Sequence, residues 1–171
     1  MIESSYALYK LVILYMLEKV NFPLSNAQIS EFFLEQEYTS YFHLQEVLNE
    51  MKESNLISAE NTMNTTYYKM TENGAQTLHF FRKDISPEIK TEAQNYLEKN
   101  AYRLRTESST IADYYKVDDD NYAVHCIVRE NGTALIDLTL HVPTERGAQE
   151  VCENWKRKSQ EAYAALIGLL M

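Results

Sequence analysis

From Ser5 to Val20 the chain (SYALYKLVILYMLEKV) is apolar on nearly every helical face. A surface helix shows one apolar stripe against a polar one, so this helix must be covered on more than one side. Its own domain is one source of cover, and a second domain or a partner chain is the other. Asn21-Phe22-Pro23-Leu24 breaks the helix. Ser25 and Gln28 have capping-box spacing and predict a second helix from Asn26 to about Gln36, with Ile29, Phe32 and Phe33 inward. A third helix is predicted from about Ser40 to Ser54, because Leu44, Val47, Leu48 and Met51 recur at i, i+3, i+4 and i+7. Two β-prone runs, Leu56 to Glu60 and Thr65 to Met70, flank the polar turn Asn61-Thr62-Met63-Asn64 and read as a hairpin. Thr71 then caps a fourth helix to about Lys83, with Ala75, Leu78 and Phe81 inward.

Ser86-Pro87 is a second clear start signal and opens a fifth helix to about Arg103. Three strands follow: Ser108 to Val117, Tyr122 to Arg129 and Thr133 to Val142, the last two joined by the hairpin dipeptide Asn131-Gly132. Pro143-Thr144 opens a long last helix striped by Ala148, Val151, Cys152, Trp155, Ala162, Leu166 and Leu170. The expected fold class is therefore α+β. A helical first domain with a hairpin (1–84) precedes an α-β-β-β-α module (85–171), whose three-stranded antiparallel sheet carries two helices on one face.

Composition narrows the functions available. The four glycines are too scattered for a phosphate-cradling loop. The two cysteines, Cys126 and Cys152, form neither a disulfide framework nor a metal motif. No cofactor and no metal site is expected. The apolar run Leu11 to Leu17 is too short for a membrane span and follows an acidic start, so a cytoplasmic protein with no membrane partner is expected. Sixteen Lys and Arg stand against twenty-five Asp and Glu, a net charge of -9, which argues against coating nucleic acid by electrostatics alone.

The segment Tyr68 to Leu78 (YKMTENGAQTL) resembles the junction between wing strand and helix in winged-helix regulators: Met70 and Thr71 end the strand, and Gly74 and Leu78 follow at the family's spacing. Asn55-Leu56-Ile57 likewise resembles the passage from recognition helix into wing. The layout, including the opening LYKLVILYML, is similar to an uncharacterised bacterial domain-of-unknown-function family with an N-terminal winged helix. The winged-helix resemblance covers roughly residues 5–83. It implies a winged helix-turn-helix that binds double-stranded DNA, with the third helix in the major groove and the wing at the adjacent backbone.

With its apolar stripe inward, the third helix turns Phe42, His43, Glu46, Asn49, Glu50 and Glu53 outward. Candidate base contacts are Thr39, Ser40, His43, Gln45 and Asn49. Lys52 and Lys69 are the only cations between residues 20 and 81, and Asn61, Asn64 and Thr65 add hydrogen-bonding groups at the wing. Glu46, Glu50 and Glu53 would repel phosphates, and their bland reading is a solvated helix face. Few cations imply a weak complex, or a homodimer that doubles its contacts. Either the first or the last helix is a candidate two-fold interface, unless each simply packs within its own chain. The second half is expected to dimerise or to sense an unidentified small-molecule effector. The rival reading is a winged-helix protein-interaction module with no DNA affinity.

No enzyme is expected. Counting back from Asn131-Gly132 pairs Cys126 with Asp137 and leaves His141 four residues along the strand, roughly 13 Å away. A nucleophile and its base must approach to about 3 Å. His125 reads as a hydrogen-bonded core residue, Tyr122 as the cross-strand neighbour of His141, and the second sheet face (Tyr122, Val124, Cys126, Val128, Leu135) as a ligand floor or protein contact.

Overall fold

The computed structural model describes residues 2–62 and 64–171; Met63, inside the expected hairpin turn, lies outside the described residues. The elements run α1 (Ile2–Val20), β1 (Leu24–Ser25), α2 (Asn26–Glu35), α3 (Tyr41–Glu53), β2 (Ile57–Asn61), β3 (Thr66–Met70), α4 (Glu72–Phe81), a 3-10 turn (Arg82–Asp84) and α5 (Pro87–Lys99). Then come α6 (Ala101–Ser109), β4 (Thr110–Asp118), β5 (Asn121–Glu130), β6 (Thr133–Val142) and α7 (Glu145–Leu170). The fold is α+β, with seven α-helices and two antiparallel three-stranded sheets among the described residues, ordered β1-β3-β2 and β4-β5-β6.

Helix starts follow the local chemistry of the sequence. The Ser25 hydroxyl accepts from the Gln28 N–H at 3.1 Å while Gln28 Oε1 accepts from the Ser25 N–H at 2.9 Å, a complete capping box. Ser40, Thr71, Ser86 and Thr144 cap α3, α4, α5 and α7 in the simpler way. Each hydroxyl takes up an N–H that its helix cannot satisfy internally.

The chain divides into two compact units, residues 1–61 with 65–104, and residues 62–64 with 105–171. At the centre of the first unit, every residue of α1 from Leu11 to Leu17 is buried. α3, α4, α5 and β3 all pack on it. The apolar girth of α1 from Leu11 to Leu17 is thus met within its own unit. This is why the first unit reaches Leu104 rather than closing near Asp84: α5, through Ala93, Tyr96 and Leu97, belongs to the core around α1.

Two further features of this unit depart from the sequence pattern. Leu24 and Ser25 form a short strand beside Tyr68 and Tyr67, which brings the start of α2 against β3. In α4 the inward positions are Gly74 and Leu78, whereas Ala75 is exposed and Phe81 is 51% exposed. Gly74 sits so close to the Leu56 carbonyl oxygen that the helix turns this edge inward.

In the second unit α7 packs across β4, β5 and β6. Trp155 is buried there and donates its indole N–H to the Ile127 carbonyl at 3.2 Å. The turn pairs Glu130 with Thr133 as expected, but the register then shifts: Arg129 faces Ala134 and Val128 faces Ile136, so Leu135 is an extra residue in β6. This bulge moves every later pairing by one position. Cys126 faces Leu138 rather than Asp137, and Tyr122 faces Val142 rather than His141. Face assignments change with it. Val124, Cys126, Val128, Ile136 and Leu138 all join the α7 core, so the expected ligand floor is the packed face. His125 is not a core residue; it is partly exposed, with Nε2 2.6 Å from Asp137 Oδ1.

Candidate nucleic-acid interface

α3 is the element on which most of the candidate residues stand. Leu44, Val47, Leu48 and Met51 are fully or almost fully buried, so one side of the helix is committed to the core. The opposite ridge is open: Phe42 is 74% exposed, and Asn49 lies one heptad further along the same line and is also exposed. His43 and Lys52 are exposed, and Ser40 is held at the N-cap, where its Oγ accepts from the His43 N–H at 3.3 Å.

Gln45 does not belong with them. Its Oε1 accepts from Asn26 Nδ2 at 2.7 Å and its Nε2 donates to Asn26 Oδ1 at 3.1 Å, a reciprocal amide pair that joins α3 to α2. Asn26 Nδ2 also lies 3.3 Å from the Tyr68 hydroxyl, which extends the tie to β3. Gln45 thus ties α3 to α2 through its amide.

Two of the three acidic residues of α3, Glu46 and Glu50, are likewise engaged, by α1. The Tyr6 hydroxyl donates to Glu46 Oε2 at 2.9 Å, and Lys10 Nζ lies 2.7 Å from Glu50 Oε2. The hydrogen bond to Glu46 is the main cause of the upward shift of the Tyr6 phenol pKa. Such exposed pairs add little stability, but they orient charge. Lys10 brings a cation to α3 from far along the chain, which a count restricted to residues 20–81 leaves out.

Thr39, Ser40 and His43 share the rim of an open hollow of about 330 Å³ with Tyr6, Tyr9 and Tyr38. The Tyr6 and His43 rings are 6.2 Å apart between centroids. On the hairpin, Asn61 is exposed and its Oδ1 accepts from Thr66 Oγ1 at 2.9 Å. Lys69 is exposed on the strand face opposite the buried Tyr68, and Thr65 is half-buried. Asn64 is exposed but falls in the second unit, so it is not counted with this face.

Two residues that the candidate set omits stand out. Tyr41 and Phe42 open α3 and are 54% and 74% exposed. The helical wheel turns Phe42 outward, and its signal is apolar exposure rather than hydrogen-bonding capacity.

A family model described as a domain of unknown function (DUF4364) matches residues 9–170. The chain belongs to the DUF4364 family. No curated protein and no solved structure matches this DUF4364 chain. Among its described residues no helix is long and apolar enough to cross a membrane, and no three His, Cys, Asp or Glu side chains gather as a metal site requires. In the second unit of this DUF4364 member, Cys126 is buried against α7 while His125 and Asp137 share the other sheet face, so these three form no nucleophile constellation.

Proposed function

We propose that this chain is a winged-helix transcriptional regulator that binds double-stranded DNA, with α3 entering the major groove and the β2–β3 hairpin lying at the adjacent backbone. The observation that carries the reading is the open outer face of α3, with Phe42 and Asn49 along its ridge and His43 and Lys52 on its two flanks, on a helix whose other side is fully spent on the core. The element order supports it: α2 and α3 are separated by a short turn, and the hairpin follows α3 directly, as helix-turn-helix readers with a wing require. The ion pair of Glu50 with Lys10 lessens the repulsion that the sequence implies.

Retention of random duplex fragments at low salt tests the proposal. With Lys52 and Lys69 as the phosphate-contacting cations of one reading head, log affinity should fall with log salt at a slope of roughly -2, or about -4 for a dimer. Lys69→Ala should reduce the slope by about 1 per head, and His43→Ala should weaken binding with the slope unchanged. No retention at the lowest salt would overturn the reading. We further propose that the regulator is a homodimer joined through the last turn of α7, where Leu169, Leu170 and Met171 are 82%, 79% and 97% exposed. Leu169→Lys should then give a monomer in sedimentation.

A second reading, a winged-helix protein-interaction module without DNA affinity, is favoured by the net charge of -9. It predicts no fragment retention at any salt.

A further inference from the structure

The base-reading chemistry that α3 can offer is one-sided. In the major groove guanine is read by Arg or Lys, cytosine by Asp or Glu, adenine by Asn or Gln, and the thymine methyl by an apolar side chain. From Tyr41 to Met51 α3 carries no Arg or Lys; its one cation, Lys52, stands in the last turn. Of the groups that would accept from cytosine, Glu46 and Glu50 are held by Tyr6 and Lys10, and Glu53, like Lys52, stands in the last turn. Gln45 is paired with Asn26. What remains on the outer ridge is Phe42, 74% exposed, with Tyr41 beside it at 54%, and the exposed amide of Asn49, while His43, on the flank toward Tyr6, has no fixed base in this code. Phe42 and Asn49 are seven residues apart on one line, about 10.5 Å along the axis, a spacing of about three base pairs.

We infer that α3 selects A·T base pairs, with Phe42 seated against the thymine C5-methyl group and Asn49 bonded to the N6/N7 edge of adenine. This rests on the DNA-binding reading above and adds the sequence class that the same face takes.

Selection from a random duplex pool should enrich A·T-rich sites. In an enriched duplex, replacing thymine by deoxyuridine deletes only the methyl group and should weaken binding about fourfold, the transfer value of one methyl-sized group. Phe42→Ala should bind the thymine duplex about fourfold more weakly and no longer distinguish thymine from uracil, while Phe42→Leu keeps the distinction. Asn49→Ala should become indifferent to 7-deazaadenine, which lacks the N7 acceptor. Both side chains are exposed, so the variants should keep the far-ultraviolet circular dichroism of the parent. Retained duplexes without A·T enrichment, or equal affinity of the wild type for thymine and uracil duplexes, would overturn this inference and leave DNA binding standing. A pool from which nothing is retained at low salt would overturn both.

Discussion

Gly74 poses a contest between two effects of opposite sign. It lies inside α4, where replacing glycine by alanine stabilises an unencumbered helix by about 1 kcal/mol. Its φ is not positive, so backbone freedom does not require a glycine here. Space does. A Cβ at Gly74 would run into the Leu56 carbonyl oxygen and come within 2.9 Å of Leu14 Cδ2 and 3.0 Å of Met70 Cγ. The Leu56 carbonyl is rigid backbone and accepts from the Thr71 N–H at 3.2 Å, while the Thr71 hydroxyl donates to the neighbouring Asn55 carbonyl at 2.6 Å. Overpacking costs about 1–3 kcal/mol, and weakening the Thr71 N–H bond adds about 1 kcal/mol. Sterics therefore win, and Gly74→Ala should destabilise the first unit by about 1–3 kcal/mol net. For a unit of about 100 residues that lowers the melting temperature by at least roughly 5 °C. The assay is urea and thermal unfolding followed by far-ultraviolet circular dichroism. Ala75→Gly, at the exposed neighbouring position, is the reference and should lose only about 1 kcal/mol. A Gly74→Ala protein as stable as the parent would refute the steric argument.

Three further outcomes are expected. A four-protein urea cycle on Gln45→Ala and Asn26→Ala should give a coupling of about 1 kcal/mol from their reciprocal hydrogen bonds, and additive losses would contradict the pairing. Burial pushes the Glu31 carboxyl pKa up, but hydrogen bonds from Arg103 and Tyr96 outweigh this and hold it below its ordinary value. A depressed folded pKa stabilises above the unfolded value and is lost as pH falls through the folded one, so Glu31→Gln should flatten the decline of the urea midpoint below about pH 4.3. Identical acid limbs in the two proteins would count against that role. Burial, with Cys152 nearby, pushes the Cys126 thiol up to about 11, and burial followed by Asp113 also raises Cys152. At neutral pH the native protein should therefore react slowly with a thiol reagent, and Cys152→Ser should leave no thiol that reacts before unfolding. A fast-reacting Cys126 would show that the sheet face is open.

What could be read from the sequence was local. Ser25, Ser40, Thr71, Ser86 and Thr144 announce their helices because a cap is decided within three residues. The apolar circumference of α1 required cover on several sides, but no local pattern says that α5 supplies it. Register failed for a different reason: one extra residue at Leu135 carries no marker, yet it moves Cys126 away from Asp137 and leaves the aspartate beside His125. At the candidate site, Phe42, His43 and Asn49 were placed outward by helical geometry alone. The partners of Gln45, Glu46 and Glu50 are Asn26, Tyr6 and Lys10, and such long-range contacts have no signature in the spacing of residues.

The dependence of α1 on α5 also sets an order of events during synthesis. When α4 has just emerged, the nascent polypeptide presents a greasy rod with one flank still bare, because its last covering helix is not yet translated. Such a stalled intermediate is sticky. A fragment cut at Asp84 would keep that bare flank for good and should aggregate, whereas one ending at Leu104 carries its own lid.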